Sequence, residues 1–447
     1  MNSRSRQPRG AARLVCIISL VTFVGYVLHS QLSWYQPDTL FLTVFYGALA
    51  GLVVYFIVAG TQWRSFTHLP VAPGRVIAIV PAYNEEPELL RNTILALTRQ
   101  TRPLDAIYVM DDGSKVPVEP FDCPGVHWLF QQNQGKRHAQ VNVLNRFDAD
   151  EWDYIFTVDS DSVVDADALE HLLRAMSDPE VQACTGMLLV RNWKDNLLTR
   201  LVDINVVSSC LLSRMARSSV GAVCPTSGAL ALYRAEIVYD NIEDYCNSGT
   251  VGDDRRLSLY ALMRGKVVAV NEAVVETALP DTWKGTFKQR LRWSQSAWLA
   301  APFVITNLNF IPMVFYLYPL CFGIMWPFVV TAMIIITVQT GSHVLLYGIA
   351  YWIVVAATET GVYAAYRPEL TMRSRIAMWF TSLLLPLLGL LVLKPAMYWA
   401  LTKLTGNRSK AWGTRETEDQ PAEPELVSAS AAWAVDGQLR QPDMSSA

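Results

Sequence analysis

Charged residues make up only 17% of this 447-residue chain, histidines number six, and no two cysteines stand as C-x-x-C. Each scarcity excludes something. With 51% hydrophobic residues against so few charges, membrane segments are expected and a purely soluble chain is not. Cys16, Cys123, Cys184, Cys210, Cys224, Cys246 and Cys321 are scattered irregularly, which reads as reduced thiols rather than a disulfide framework. The histidines never group with one another or with cysteine, so zinc has no ligand set and any metal should be a hard cation held by carboxylates. No Lys/Arg block interleaved with aromatics occurs and the net charge is -3, so nucleic acid is not an expected partner. Nothing in the sequence sets an oligomeric state.

What the sequence does hold is unevenly spread. Apolar residues gather at the two ends, and most carboxylates lie between Asn84 and Asp281. The apolar run Ala12 to His29 follows Arg4, Arg6, Arg9 and Arg13, and a second run, Leu40 to Gly60, comes after a short polar loop with no small-residue cleavage site before it. This predicts a transmembrane hairpin over residues 1–63 with both ends cytosolic, not a secretory signal peptide. Residues 301–405 form a second membrane region, with apolar stretches at Phe310 to Val338, Val344 to Tyr366 and Ile376 to Leu401. Arg367, Arg373 and Arg375 place the second loop in the cytosol, and Lys403, Arg408 and Lys410 place the tail there. The last stretch is short for two spans of roughly 20 residues each, so Pro386 and Pro395 are expected to break it into a re-entrant pair. Within the tail, 406–447, the part from Glu416 is rich in Ala, Ser, Pro and acidic residues and is expected to be disordered.

Residues 64–300 alternate short β-rich runs with amphipathic stretches, the pattern of an α/β, Rossmann-like domain with a mostly parallel sheet. Strands are predicted at Val76 to Val80, Ala106 to Met110, Val126 to Phe130 and Tyr154 to Val158, and helices at Glu86 to Arg99, Lys136 to Phe147 and Asp165 to Met176. Ligands of open sheets bind beyond the carboxyl ends of the strands. Three of these four ends lead directly into Asn84-Glu85, Asp111-Asp112 and Asp159-Ser160-Asp161. Asn196 to Val220 and Thr286 to Leu299 mix apolar residues with Arg and Lys at helical spacing and are expected to be interfacial helices.

Asp159 and Asp161 can offer oxygens to Mg2+ or Mn2+, which take one or two carboxylates and complete their shell with substrate phosphates. Asp111 and Asp112 offer acceptors to a base and a ribose, Glu85 lies in the same acidic turn, and Tyr83 offers a stacking face. Gly135-Lys136-Arg137 opens a helix, where backbone N–H groups and two cations suit a diphosphate or an acidic sugar. Asp253 and Asp254 precede a helical stretch; one reads as an N-cap, and the pair suggests a general base for an attacking hydroxyl. On a further helix, Gln289 shares a face with Arg292 or Trp293, offering an amide, a guanidinium for a departing diphosphate and an indole for a sugar ring.

This order of motifs resembles the family-2 glycosyltransferases with a GT-A fold, and among them the processive membrane synthases of hyaluronan, chitin and cellulose. The Gly252-Asp253-Asp254-Arg255 form and Ala411-Trp412-Gly413-Thr414-Arg415 are more similar to hyaluronan and chitooligosaccharide synthases, since cellulose synthases usually carry Thr-Glu-Asp. The resemblance implies that Asp111 or Asp112 binds the nucleoside, that Asp159 and Asp161 hold diphosphate and metal, and that Asp254 is the base. It further implies that Arg292 binds the diphosphate, Trp293 the acceptor sugar and Trp412 the neighbourhood of the nucleotide, and that Thr185-Gly186 lines the acceptor pocket. One departure stands out: Cys224-Pro225-Thr226-Ser227-Gly228-Ala229 replaces the Cys-x-Ser-Gly-Pro of hyaluronan synthases, which leaves the polymer open.

The resulting expectation is a plasma-membrane, multi-pass enzyme with a cytosolic catalytic domain. It would polymerise UDP-sugars, UDP-N-acetylglucosamine with or without UDP-glucuronate, onto a growing polysaccharide and extrude the product across the lipid bilayer. A transferase adding one sugar to a lipid carrier, or a decayed scaffold or sugar-lipid transporter, are the competing readings.

Overall fold

The computed structural model describes Tyr55 and residues 64–248, 252–367 and 370–404. The N-terminal hairpin expected over 1–63, Trp412 and the tail therefore lie outside the described residues, Tyr55 apart.

Eight strands form one sheet: β1 (Val76–Ala82), β2 (Ala106–Asp111), β3 (Val126–Phe130), β4 (Tyr154–Thr157), β5 (Val163–Val164), β6 (Val181–Val190), β7 (Ala231–Arg234) and β8 (Lys266–Thr277). Their order is β3-β2-β1-β4-β7-β6-β8-β5. β3, β2, β1 and β4 run parallel, as do β6 and β8, while β7 is antiparallel to both neighbours and β5 to β8. Every residue of β1 is buried, as a parallel strand covered on both faces requires. Ile77 and Ile79 enter one apolar core and Val76, Ala78 and Val80 the other, following the period of two.

Helix α1 (Pro87–Thr98) starts with proline in its first turn, where no N–H is needed, and buries Leu90, Thr93, Ile94 and Leu97. Helix α2 (Lys136–Leu144) and helix α3 (Ala168–Met176) complete the expected alternation. The expected strand and helix positions are met to within a few residues.

The stretch Asn196 to Val220, which fits an interfacial helix or a helix packed on the sheet equally well in sequence, packs on the sheet. Helix α4 (Leu197–Ser209) continues through a π-turn, Cys210–Arg214, into Met215–Ser219. Leu198, Leu201, Val202, Ile204 and Val207 are buried in a third core with Met187, Leu189, Val362 and Tyr363. This helix is thus wedged between the sheet and the apolar C-terminal helices. Asp203, fully buried on it, accepts hydrogen bonds from Tyr363 Oη (2.5 Å) and from Arg367 Nη2 (2.6 Å).

Helix α5 (Asp253–Arg264) lies against β6 and β8, and helix α6 (Trp283–Asn307) leads from the sheet to the apolar region. Among the described residues, three stretches are long and apolar enough to cross a membrane: α7 (Phe310–Thr340), α8 (Val344–Tyr366) and Leu385–Thr402. Of the two expected breaks, the one beside Pro386 is present and the one at Pro395 is not. An 11-residue helix, α9 (Met372–Ser382), ends in a turn at Leu383 and Leu384, and Pro386 falls in the first turn of the next helix, where no N–H is needed. From Leu385 the chain then continues to Thr402 through a π-turn, Gly389–Leu393, with Pro395 in the first turn of α10 (Lys394–Thr402). One spanning-length helix replaces the re-entrant pair.

Candidate active site

Because β2, β1 and β4 are adjacent and parallel, their carboxyl ends deliver three acidic loops side by side. Asn84, at φ 48°, holds the first loop to the second: its N–H donates to Ser114 Oγ (2.9 Å) and its Oδ1 accepts from Lys115 N (2.8 Å). Glu85 holds the first to the third, accepting from Ser160 Oγ at 2.5 Å. Tyr83 is buried to 6% exposure, so the open stacking face expected of it is not presented.

Asp111 and Asp112 are buried and shape their own loop. Asp111 accepts from Ser114 N (3.0 Å), Ser114 Oγ (2.6 Å) and Val118 N (3.0 Å). Asp112 accepts from Gln131 Nε2 (2.7 Å), Gln134 N (2.9 Å) and Gly135 N (2.8 Å). The last bond fixes Gly135, at φ 93°, as the residue before α2, and so delivers Lys136.

Lys136 is the hub. Its Nζ lies 2.6 Å from Asp159 Oδ1 and 2.7 Å from Asp253 Oδ2. Burial would lower the ammonium's pKa, but the two carboxylates outweigh it and raise it. Arg137, expected beside it as a phosphate ligand, is committed elsewhere. It donates to Tyr245 O (3.0 Å), Ser248 Oγ (2.7 Å) and Gly252 O (2.8 Å), and it stacks over the Tyr245 ring.

The N-cap reading of Asp253 is also corrected. Gly252, at φ 93°, occupies the cap position, which leaves Asp253 in the first turn with its carboxylate on Lys136. Burial would raise the Asp253 pKa, but Lys136 and Arg137 hold it below the ordinary value. Asp254 is pushed the other way, first by burial and then by the charge of Asp253. One member is kept ionised and its neighbour is made the better proton acceptor, the division of labour that acid–base sites use.

Asp161 Oδ1, two residues from Asp159, faces Ser162 Oγ (3.2 Å) and Thr277 Oγ1 (3.4 Å). Among the described residues no group of three or more His, Cys, Asp or Glu side chains forms a metal cage. Two hard-oxygen ligands on one turn nevertheless match what Mg2+ or Mn2+ asks of a protein when phosphates supply the remainder.

Thr185 and Gly186 act from beneath the site rather than lining a pocket. Buried Thr185 donates to Leu230 O (2.7 Å) and accepts from Ser227 N (2.9 Å), fixing the turn that carries Gly228. A Cβ on Gly186 would lie 2.3 Å from Ala273 O, where β8 bulges toward β6. A Cβ on Gly228 would lie 3.1 Å from Asp159 Oδ2 and 3.3 Å from Lys136 Nζ. The divergent stretch Cys224 to Ala229 therefore floors the ion pair. It also reaches α5, through Thr226 Oγ1 to Ser258 Oγ (2.9 Å) and Asp254 O (3.3 Å).

Helix α6 closes the other side. Ser296 Oγ accepts from Arg255 Nε at 2.9 Å and packs against Gly252, so this helix bears on the base-carrying turn. Gln289 is buried, its Oε1 without a partner among the described residues, Arg292 is half-exposed and Trp293 is exposed. The residue missed from sequence is Arg290. Its guanidinium stacks on Trp293 (4.4 Å), Nε and Nη2 are buried without a hydrogen-bond partner among the described residues, and burial pulls its pKa down to about 10. The signal was available: Arg290 and Trp293 are three apart and share a helix face.

A parallel sheet edge that gathers Asp159, Asp161, the buried Lys136 and the Asp253–Asp254 pair fits a GT-A-type glycosyltransferase. Residues 73–296 match the family described as glycosyltransferase like family 2, and the chain belongs to that family. It is 33% identical over 307 residues to a hyaluronan synthase of Streptococcus pyogenes serotype M3 (strain ATCC BAA-595 / MGAS315), covering 64% of this chain and 71% of the relative. It is also 33% identical over 237 residues to an N-acetylglucosaminyltransferase of Rhizobium meliloti (strain 1021), covering 49% of this chain and 55% of that one. A solved mannosyltransferase of Pyrobaculum calidifontis, in complex with GDP-Man and Mn2+, aligns with TM-score 0.48 and 16% identity over 88% of this chain and 99% of its own.

Proposed function

We propose that this glycosyltransferase is processive and inverting, and that it polymerises UDP-N-acetylglucosamine, alone or alternating with UDP-glucuronate, passing the polymer through its own membrane helices. The observation that carries this reading is the placement of the Asp253–Asp254 turn against α6, the helix that bears Trp293 and then leads into the spanning helices. Acceptor, base and membrane passage would thus lie along one path. The two kinds of relative support both polymer compositions.

In this mechanism Asp254 takes the proton of the acceptor hydroxyl as its oxygen attacks C1 of the donor sugar. The bond from C1 to the diphosphate breaks on the opposite face, inverting the anomeric centre and releasing UDP. Asp159 and Asp161 would hold Mg2+ or Mn2+, which neutralises the diphosphate. Lys136 exchanges Asp159 for phosphate oxygens, and Arg292 receives the leaving group beside Trp293. The catalytic domain faces the cytosol of a plasma-membrane, multi-pass protein.

The test is purified protein in lipid with labelled UDP-sugars, with and without a chelator and added Mg2+ or Mn2+. A ladder of long products, lost on chelation and restored by either metal, is expected. Products extended by a single sugar would overturn processivity.

A further inference from the structure

Lys394 stands midway along Leu385–Thr402, the last helix of spanning length. A cation at that depth is costly and persists where it faces a bundle interior or a polar path. Lys394 faces inward: its Nζ lies 5.7 Å from the Phe322 ring centre and 5.6 Å from that of Trp326, both near the middle of α7. Glycine makes this approach close. A Cβ on Gly323 would lie 2.5 Å from Met397 Cε and 3.9 Å from Lys394 Nζ, and Tyr398 Oη donates to Gly323 O at 2.9 Å. The π-turn Gly389–Leu393 sits immediately before it and re-aims the helix at that point. Trp326 in turn packs edge-on against Trp352 of α8, 5.7 Å away.

Two rings stabilise the charge, yet among the described residues Lys394 has neither an ion pair nor a hydrogen bond, so three N–H donors have no oxygen to meet. The cluster is also continuous with the catalytic side. Trp298, on the same helix as Trp293, donates from Nε1 to Met397 O at 3.3 Å. A saccharide offers apolar ring faces to aromatics and oxygens to an ammonium, and a carboxylate-bearing unit supplies the missing counter-charge.

We infer that Lys394, with Phe322 and Trp326, is a holding station for the growing saccharide inside the membrane, and that the unit it holds carries a carboxylate. This rests on the processive reading and deepens it, because it favours an acidic polymer over a neutral one.

The experiment uses the full chain in proteoliposomes, comparing wild type with Lys394→Met and Lys394→Arg. With UDP-N-acetylglucosamine and UDP-glucuronate together, Lys394→Met should leave initial UDP release within about twofold of wild type. It should shorten the product about fivefold or more, and Lys394→Arg should restore the length. With UDP-N-acetylglucosamine alone, product length should not change. A second readout needs no turnover: quenching of tryptophan fluorescence by a glucuronate-containing oligosaccharide should weaken about tenfold in Lys394→Met, while a neutral chitin oligosaccharide binds both proteins alike. Unchanged product length and unchanged quenching would overturn the inference, as would equal losses for acidic and neutral saccharides, and a loss cured by changing only the anionic lipid content would assign Lys394 to a headgroup instead. Failure of wild type to make any polymer would reject the processive reading, and the quenching measurement would still decide on Lys394.

Discussion

Asp253 and Asp254 are neighbours in the chain and share one buried turn, yet their surroundings shift their pKa values in opposite directions. Lys136, 2.7 Å from Asp253, keeps that carboxylate ionised, and the resulting charge adds to burial in raising the pKa of Asp254.

A pH dependence follows. A base must be unprotonated, so kcat/KM should fall as pH drops through the Asp254 pKa, with a midpoint above the ordinary aspartate value of about 4. Asp253→Asn removes the repelling charge and should move that acid limb to lower pH. Asp254→Asn should cost on the order of a thousandfold in transfer while UDP binding is retained. A pH–rate series on the three proteins, with calorimetric UDP titration, checks all of these; normal turnover in Asp254→Asn would remove it from the role.

Arg290 sets activity against stability. A buried guanidinium with two unpartnered nitrogens is a burden on the fold, so Arg290→Met should melt no lower than wild type and could gain about 1 kcal/mol or more. Turnover should drop at least about tenfold, because the Trp293 ring loses the cation stacked on it. Thermal melts beside UDP release separate the two effects; a variant that is both stable and fully active would show that Arg290 has no functional task.

Two glycines should fail in different ways. Gly186→Ala meets the backbone carbonyl of Ala273 and should destabilise by about 1–3 kcal/mol or more through overpacking. Gly228→Ala meets the far ends of Asp159 and Lys136, which have room to shift, so it should fold and lose activity. Denaturation midpoints and initial rates on the pair give the comparison.

The link between α4 and the end of α8 makes a third contrast. Removing one partner of the buried Asp203–Arg367 pair, as in Asp203→Leu or Arg367→Met, should cost about 3–5 kcal/mol by leaving a charge unpaired. The double variant should cost less than the sum of the two, and unfolding of all three in detergent measures the coupling.

The acidic ends of β1, β2 and β4 were legible because strands this apolar stop abruptly at Asp and Glu, and a parallel sheet puts those stops on one edge. Local pattern could not say which partners each side chain would choose. Arg137 looks like Lys136 in sequence, but only the fold brings Tyr245, Ser248 and Gly252 to it. Tyr83 likewise follows a strand as a stacking ring would, and the packing around it buries the ring. Asn196 to Val220 carries enough Arg to pass for an interfacial helix. What decides its place is the combination of Asp203 with Arg367, 164 residues apart in sequence, and no window along the chain can see that.

Arg137 holds the carbonyl of Gly252 from the turn of α2 next to Lys136, so the start of α5, which carries Asp253 and Asp254, is tied to α2 at two points. An anion that draws Lys136 away from Asp253 would pull on the same helical turn that anchors the start of α5. If Asp254 is the base, a donor that engages Lys136 acts on the same turn that presents it, so donor binding and base placement share one mechanical link.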